Sequence, residues 1–182
     1  MIDLVVRGGT VVTGFGSFEG GVGVDGGKVV ALGRDGRLPR ARRTIDVEGR
    51  LILPGLVDPH THPGNYRPFE DDIRSETRAA ALAGITTMLG TVKSTRMGGP
   101  FKEETFPEDV RSYLDVGPTA VRIIEQEAFV DVALSFMVMT RQHAEEIGAC
   151  KKALGVTSFK FFAGSQGESP WGRRVGMPLF PD

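Results

Sequence analysis

The strongest constraint on the fold is a regular alternation of predicted strands and helices that begins after Pro54. Short apolar runs typical of buried strands are followed by longer segments with helical periodicity, and the pattern repeats four times. Such alternation is typical of a parallel sheet or a (β/α) barrel. Strands are predicted at residues 56–59, 85–89, 130–139 and 156–162, and helices at 73–83, 107–114, 118–127 and 140–154.

Residues 1–53 have a different pattern, in which short β-strands are separated by glycine-containing turns. We expect Gly8-Gly9 to form a turn between two strands, and Asp25-Gly26-Gly27 to form the tight turn of a hairpin. The predicted layer is too short to bury a good core by itself. A complete barrel takes roughly 250 residues, so residues 54–182 supply about half of one.

Charge and composition argue against several classes of protein. The formal net charge is −1 and the isoelectric point is about 6.3, so the chain lacks the basic surface of a nucleic-acid-binding protein. Asp131 interrupts the richest apolar run, and no run is long enough to span a membrane. The single cysteine, Cys150, excludes an internal disulfide and is expected to be a core residue of a helix. Because the N-terminus has no export signal, we expect a cytoplasmic protein without nucleic-acid or membrane partners.

The segment LILPGLVDPHTH, from Leu51 to His62, carries the first candidate site. If it forms a strand, alternate side chains share a face, so Asp58, His60 and His62 point the same way. Two such imidazoles can bind one divalent cation, and the aspartate can support them. His-x-His pairs also occur incidentally on surfaces, so the pattern alone leaves both interpretations open. Its position after a buried strand favours the metal site, because strand ends are where α/β folds place their chemistry.

Lys160 is the second unusual residue, because it interrupts an otherwise aromatic strand, Ser158-Phe159-Lys160-Phe161-Phe162. A buried and unpaired ammonium is costly. One interpretation is an edge position from which the ammonium reaches solvent. The other is a neutral lysine that adds carbon dioxide, which gives a carboxylate on a long stem able to bridge two metal ions.

Four motifs, VRGGTVV, GKVVALG, LILPGLVDPHTH and SFKFF, together resemble the amidohydrolase superfamily in their order and spacing. The most similar branch is the cyclic amidohydrolases: hydantoinases and dihydropyrimidinases, with allantoinase and dihydroorotase as relatives. Asp71-Asp72, the helix around 77–81 and the strand around 84–87 resemble the first barrel helix and the second barrel strand of hydantoinases. The resemblance covers essentially the whole chain.

This resemblance implies an α/β chain in which residues 1–53 form part of a β-sandwich domain. Residues 54–182 would form the first half, strands one to four, of the (β/α)8 TIM barrel of metal-dependent hydrolases. The implied activity is hydrolysis of cyclic amide or ureide C–N bonds, with a metal-activated hydroxide attacking a ring carbonyl. His60 and His62 match metal ligands of the first barrel strand, and Asp58 is expected to support them. Lys160 matches the lysine that is carboxylated by CO2 and bridges two divalent ions, with zinc the expected metal.

Three features separate the sequence from these relatives. Hydantoinases carry a tyrosine at the position of Ser165, and a serine is too short to reach the same substrate carbonyl. Dihydroorotases carry an arginine at the position of Gly64, although Arg67 lies close by in the loop. The sequence also ends before the strands that carry the remaining histidine ligands and the aspartate that acts as general base. We do not expect His143 to replace them, because its helix should point it outward.

Candidate substrate contacts are Asn65, Tyr66 and Arg67 and the loop after Lys160, which includes Ser165. The predicted partners are a small cyclic amide or ureide and either further copies of the chain, as a homo-oligomer, or the missing half of the barrel. An alternative hypothesis is a truncated or non-catalytic member of the fold with a binding or assembly role.

Overall fold

The computed structural model of the protein describes residues 1–97 and 109–161, without the side chain of Arg96. The chain divides into two compact units, Met1–Pro54 and Gly55–Asp182. In the two described ranges, no helix has both the length and the apolar character that crossing a membrane requires.

The first unit contains a mixed sheet with a long strand, β1, at its centre. The next two strands form antiparallel pairs, β1 with β2 and β2 with β3, whereas β4 and β5 run parallel to β1. The strands are β1 (Ile2–Thr13), β2 (Gly16–Asp25), β3 (Lys28–Gly33), β4 (Ala41–Asp46) and β5 (Leu51–Ile52).

Glycine placement in this unit confirms one predicted turn and corrects another. Gly26 and Gly27 have φ of 55° and 74° between the paired residues Asp25 and Lys28, as the predicted two-residue hairpin requires. The turn predicted at Gly8-Gly9 was wrong, because β1 continues through both residues with a bulge in its pairing to β2. Gly8 has φ of 74°, a backbone conformation that glycine adopts without steric cost and that bulges use.

The second unit contains a four-stranded parallel sheet in the order β6-β7-β8-β9, with helices between successive strands. The predicted α/β class with parallel strands is therefore confirmed for the described residues. The elements are β6 (Leu56–Thr61), α1 (Phe69–Leu82), β7 (Ile85–Val92), α2 (Tyr113–Glu127), β8 (Asp131–Met137), α3 (Arg141–Leu154) and β9 (Ser158–Lys160).

One face of this sheet packs against the helices. The strands contribute Val92 and Phe136, and partly buried Phe159 packs against the same cluster. The ring of Tyr113 stacks on Phe136 with centroids 4.1 Å apart. The prediction that Cys150 is a core residue is confirmed, since its side chain is buried in this cluster. Helix residues in the cluster are Phe69, Ile73, Tyr113, Val116, Ala120 and Cys150.

Two helix predictions need correction. The helix predicted at 73–83 begins at Phe69, because Glu70, Asp71 and Asp72 lie in its first turn, where carboxylates favour the positive end of the helix dipole. The two helices predicted at 107–114 and 118–127 are replaced, in the described residues, by the single helix α2.

Helix α2 begins directly after Ser112, whose side chain caps it. The side chain of Ser112 accepts a hydrogen bond from the Leu114 N–H, and Pro118 lies inside the helix. Pro118 was expected to open a helix, but the serine cap and the buried Tyr113 and Val116 fix the start earlier. Part of the first predicted helix, residues 107 and 108, lies outside the described residues.

His143 is buried, contrary to the prediction that its helix would point it outward. Its side chain is 2% exposed. Nδ1 accepts a hydrogen bond from the Met139 N–H at 3.2 Å, and Nε2 lies 2.8 Å from the carbonyl oxygen of Arg111. Because a carbonyl oxygen can only accept, His143 is the neutral tautomer with its proton on Nε2. The residue is in the first turn of α3, which the segment around Arg111 covers, so periodicity along the helix does not predict its burial.

Replacing His143 with alanine is expected to lower the free energy of unfolding by about 2–4 kcal/mol, because a buried N–H and a buried carbonyl lose their partner. His143→Asn keeps an acceptor near the Nδ1 position, so it should lower the free energy of unfolding by less. Urea denaturation followed by circular dichroism measures the difference. The exposed neighbour Gln142 provides the control, since Gln142→Ala is expected to change stability by no more than about 0.5 kcal/mol. If His143→Ala and Gln142→Ala lower the free energy of unfolding equally, the buried hydrogen bonds of His143 do not stabilise the fold.

Candidate metal centre

Strand register places the candidate site on the face of the sheet opposite the helices. Val92 pairs with Phe136, and Phe136 pairs with Phe159, and these three side chains belong to the helix-facing core. Because neighbouring strand residues alternate between faces, Lys160 and its partner Met137 lie on the other face. The hydrogen bond between the hydroxyls of Ser158 and Ser135, at 2.9 Å, lies on this second face as well.

His60, His62 and Lys160 meet on that face. The Nε2 atoms of His60 and His62 are 3.0 Å apart, and the two rings are nearly perpendicular, with an interplanar angle of 88°. The Nζ atom of Lys160 lies 3.2 Å from Nε2 of His60. β6 and β9 are the outer strands of the four in this sheet, three spacings of about 4.8 Å apart along the sheet. The long side chains therefore converge from opposite edges of the sheet.

The two histidine Nε2 atoms are spaced as ligands of one divalent cation would be, but the described residues supply no complete ligand set. Two nitrogens bound to one zinc ion at tetrahedral angles lie about 3.3 Å apart, close to the 3.0 Å between the two Nε2 atoms. Nδ1 of His62 is buried and makes no hydrogen bond of standard geometry with the described residues, although the Thr91 backbone is close enough to act on the ring. Across the described residues, no three His, Cys, Asp or Glu side chains form a group able to hold a metal ion. Among the described residues, a third ligand beside the two neutral imidazoles would have to be a modified Lys160.

Electrostatics favours the neutral, cation-binding form of His62. Burial lowers the pKa of His62, and the positive charges of Lys160, His60 and Lys93 lower it further, while the Thr91 backbone opposes the shift. A neutral imidazole keeps a lone pair for a metal ion near neutral pH.

Comparisons with known proteins find similar sequences and similar structures. An allantoinase of Escherichia coli strain SMS-3-5 is 41% identical over 90 residues, which are 48% of this chain and 19% of that protein. The structure is similar to D-hydantoinase from Bacillus sp. AR9, with a TM-score of 0.68, 28% identity and coverage of 91% of this chain and 34% of that chain. Dihydropyrimidinase from Brevibacillus agri gives a TM-score of 0.66 at 28% identity, covering 90% and 34% of the respective chains.

These similarities support a relationship to the cyclic amidohydrolases over part of the relatives' length. No model of a protein family matches the chain. The matches cover about a fifth to a third of the length of these relatives.

Asp58 holds the backbone of the strand that carries His60. Its Oδ1 atom accepts a hydrogen bond from the His60 N–H at 3.0 Å. The contact is to the main chain, whereas the sequence suggested support of an imidazole or of a metal cluster. Asp58 therefore fixes the position of His60 along the strand, not the orientation of its ring.

A buried carboxylate that the sequence did not single out for the site positions the loop after His62. Asp72, 7% exposed, accepts a hydrogen bond from the Gly64 N–H at 2.9 Å. Gly64 has φ of 79°, and a Cβ atom there would lie 3.1 Å from the ring of Phe69. The loop needs glycine at this position, which gives a structural reason for the absence of an arginine.

The candidate substrate contacts Asn65, Tyr66 and Arg67 follow this loop. Tyr66 and Arg67 line a cavity of about 660 Å³ that also contacts His62 and, from α1, Glu76 and Ala80. This cavity therefore lies between the histidine strand and α1. The Asn65 N–H donates to the His62 carbonyl at 3.4 Å. His60 and Lys160 do not line the same cavity. Ser165, the remaining candidate, lies outside the described residues.

Replacing Lys160 with methionine is expected to raise the pKa of His62 in the metal-free chain, because the substitution removes a positive charge that lowers it. The pH titration of the His62 Cε1–H resonance by NMR measures the shift. In the wild-type chain the midpoint should lie below the ordinary value of about 6.5.

The control for this titration is Lys152→Met, which removes an equal charge from an exposed position on α3. It should leave the His62 midpoint unchanged. A Lys160→Met midpoint equal to or below that of the wild-type chain would show that the Lys160 charge does not act on His62.

Proposed function

We propose that this chain is part of a metal-dependent hydrolase that opens the C–N bond of cyclic amides or ureides. The convergence of His60, His62 and Lys160 on one face of the sheet carries the proposal. The names of the similar proteins, allantoinase, hydantoinase and dihydropyrimidinase, support a substrate that is a small cyclic amide or ureide.

We propose for the architecture that residues 54–182 provide strands one to four of a (β/α)8 barrel, and that residues 1–53 belong to a composite β-sandwich domain. The parallel order β6-β7-β8-β9 with helices between the strands supports the barrel. The mixed sheet of the first unit supports the sandwich. Homo-oligomer formation stays a prediction from the sequence.

The proposed centre would contain two divalent ions, with zinc as the expected metal. His60 and His62 would hold one ion through Nε2, and Lys160, carboxylated by CO2, would hold both. When bound, the ions supply Lewis acidity and a water of lowered pKa.

Around that centre, the chain itself positions the ligands. Asp58 fixes the main chain of His60, and Asp72 fixes the turn at Gly64 directly after His62. Arg67 and Asn65 would contact substrate from the same loop, and the hydroxyls of Ser135 and Ser158 line the face between the strands. These side chains orient the substrate ring and exclude water from it, whereas the general base has no candidate among the described residues.

Turnover of ring substrates by the zinc-loaded chain tests the proposal. Hydantoin, dihydrouracil and allantoin are incubated with the 182-residue chain, zinc and bicarbonate, and ring opening is followed by loss of ultraviolet absorbance and by mass spectrometry. His60→Ala and His62→Ala should each lower the amount of bound zinc, measured by mass spectrometry, and ring opening should fall with the loss of zinc.

A histidine outside the candidate site, His143, gives a matched control. His143→Asn removes an imidazole that lies in the helical layer, so it should leave zinc content unchanged. The proposal fails if the chain binds no divalent metal, or if ring opening continues unchanged in the presence of a chelator.

A further inference from the structure

Tyr113, the first residue of α2, is held at a fixed point under the sheet. Its side chain is 1% exposed, and its ring stacks on that of Phe136 in β8, with centroids 4.1 Å apart. Its backbone N–H donates to a carboxylate oxygen of Glu146 on α3 at 3.2 Å. The ring and the main chain of Tyr113 are both anchored, so the helical layer sets the position of its hydroxyl.

The hydroxyl of Tyr113 donates to the end of β8. It lies 2.7 Å from the carbonyl oxygen of Met137 and 3.0 Å from that of Val92. A hydroxyl has a single proton, and the shorter distance makes the Met137 carbonyl the stronger of the two acceptors. That carbonyl shares a peptide group with the N–H of Val138, which donates to the carbonyl oxygen of Lys160 at 2.7 Å. Because a peptide group is planar, a hydroxyl that orients one end of it also orients the other.

The strand that carries Lys160 is short and depends on its neighbour. β9 has three residues and pairs with β8, so the hydrogen bond from the Val138 N–H contributes much of what holds its carboxyl end. The ring of Phe159 packs edge-on against Phe136, with centroids 6.3 Å apart and an interplanar angle of 77°. Tyr113 therefore acts on β9 by two routes, through the ring of Phe136 and through the peptide group that ends at Val138.

We propose that Tyr113 is a positioning residue of the candidate metal centre, which holds the main chain of Lys160 where the lysine side chain reaches His60. The inference rests on the proposed function. The Nζ atom of Lys160 lies 3.2 Å from Nε2 of His60, and the groups of a working site have to be held within about 0.5 Å of their positions. Because the lysine stem is flexible, a fixed main chain limits the volume that its head group can reach.

Removing the hydroxyl alone tests the proposal in the metal-free full chain. Tyr113→Phe keeps the stacked ring but takes the donor from the Met137 carbonyl. Amide hydrogen exchange at Val138, measured by NMR, should become about fivefold faster. The nuclear Overhauser contact between the Lys160 Cε protons and the His60 ring protons should lose intensity, because the lysine main chain is less well fixed.

Two further variants separate positioning from a general loss of stability. Thr77→Val removes another buried hydroxyl of the helical layer, one on α1 that donates to the Ile73 carbonyl and accepts from the Phe129 N–H. It should leave the exchange at Val138 and the contact with His60 unchanged. Replacement of Tyr113 by p-aminophenylalanine puts N–H donors where the hydroxyl was, and it should return both signals to the wild-type values.

Absence of the contact between Lys160 and His60 in the wild-type chain would overturn the proposal without any variant. Wild-type exchange at Val138 and a wild-type contact with His60 in Tyr113→Phe would also overturn it. Equal changes in Thr77→Val, or no recovery with p-aminophenylalanine, would do the same, because either result indicates that the hydroxyl acts only through overall stability.

Zinc binding separates this inference from the proposed function. In the presence of bicarbonate, Tyr113→Phe should bind zinc about tenfold more weakly than the wild-type chain. If the wild-type chain binds no zinc while both NMR signals depend on the hydroxyl, Tyr113 positions Lys160 and the proposed function fails. If the wild-type chain binds zinc and Tyr113→Phe changes neither NMR signal, only this inference fails.

Discussion

Burial of one face of a parallel sheet is the constraint on which the rest of this structure depends. Val92, Phe136 and Phe159 lie side by side across β7, β8 and β9 and pack under the helices. Each buried side chain of this size contributes roughly 1.5–3 kcal/mol. A shift of register by one residue would expose all of them and bury polar groups. The same constraint directs Thr91, Ser135, Ser158 and Lys160 to the other face.

The carboxyl ends of β7 and β8 are held together from the helical side by one hydroxyl. The Tyr113 O–H lies 3.0 Å from the carbonyl oxygen of Val92 and 2.7 Å from that of Met137. One proton is therefore shared between two strand ends, and burial raises the pKa of Tyr113, which keeps that proton in place. His143 packs against the Tyr113 ring with centroids 4.5 Å apart. Buried hydrogen bonds therefore fix the carboxyl ends of β7 and β8, the two inner strands of the sheet on which the candidate metal ligands lie.

The sequence predicts which face of a strand a residue occupies only where polar and apolar residues alternate around it. The alternation after Pro54 predicted a parallel α/β sheet because continuous apolar strands need cover on both faces. The environment of Lys160 could not be predicted, since aromatic residues flank it on both sides. In the structure Phe159 packs on the helical core and Phe161 is 62% exposed, so pairing with β8 decided the face. Lys93 is buried, although a lysine that follows a strand usually lies in a solvated loop.

The charge at Lys160 decides whether the site face attracts or repels cations. As an ammonium 3.2 Å from His60, it lowers the pKa of His62 and opposes a divalent ion. A carbamate at the same position would change the local charge from positive to negative. Cation and carbon dioxide would then each raise the affinity for the other by the same factor. Because the described residues offer only imidazoles beside this lysine, its modification is the step on which a two-metal centre depends.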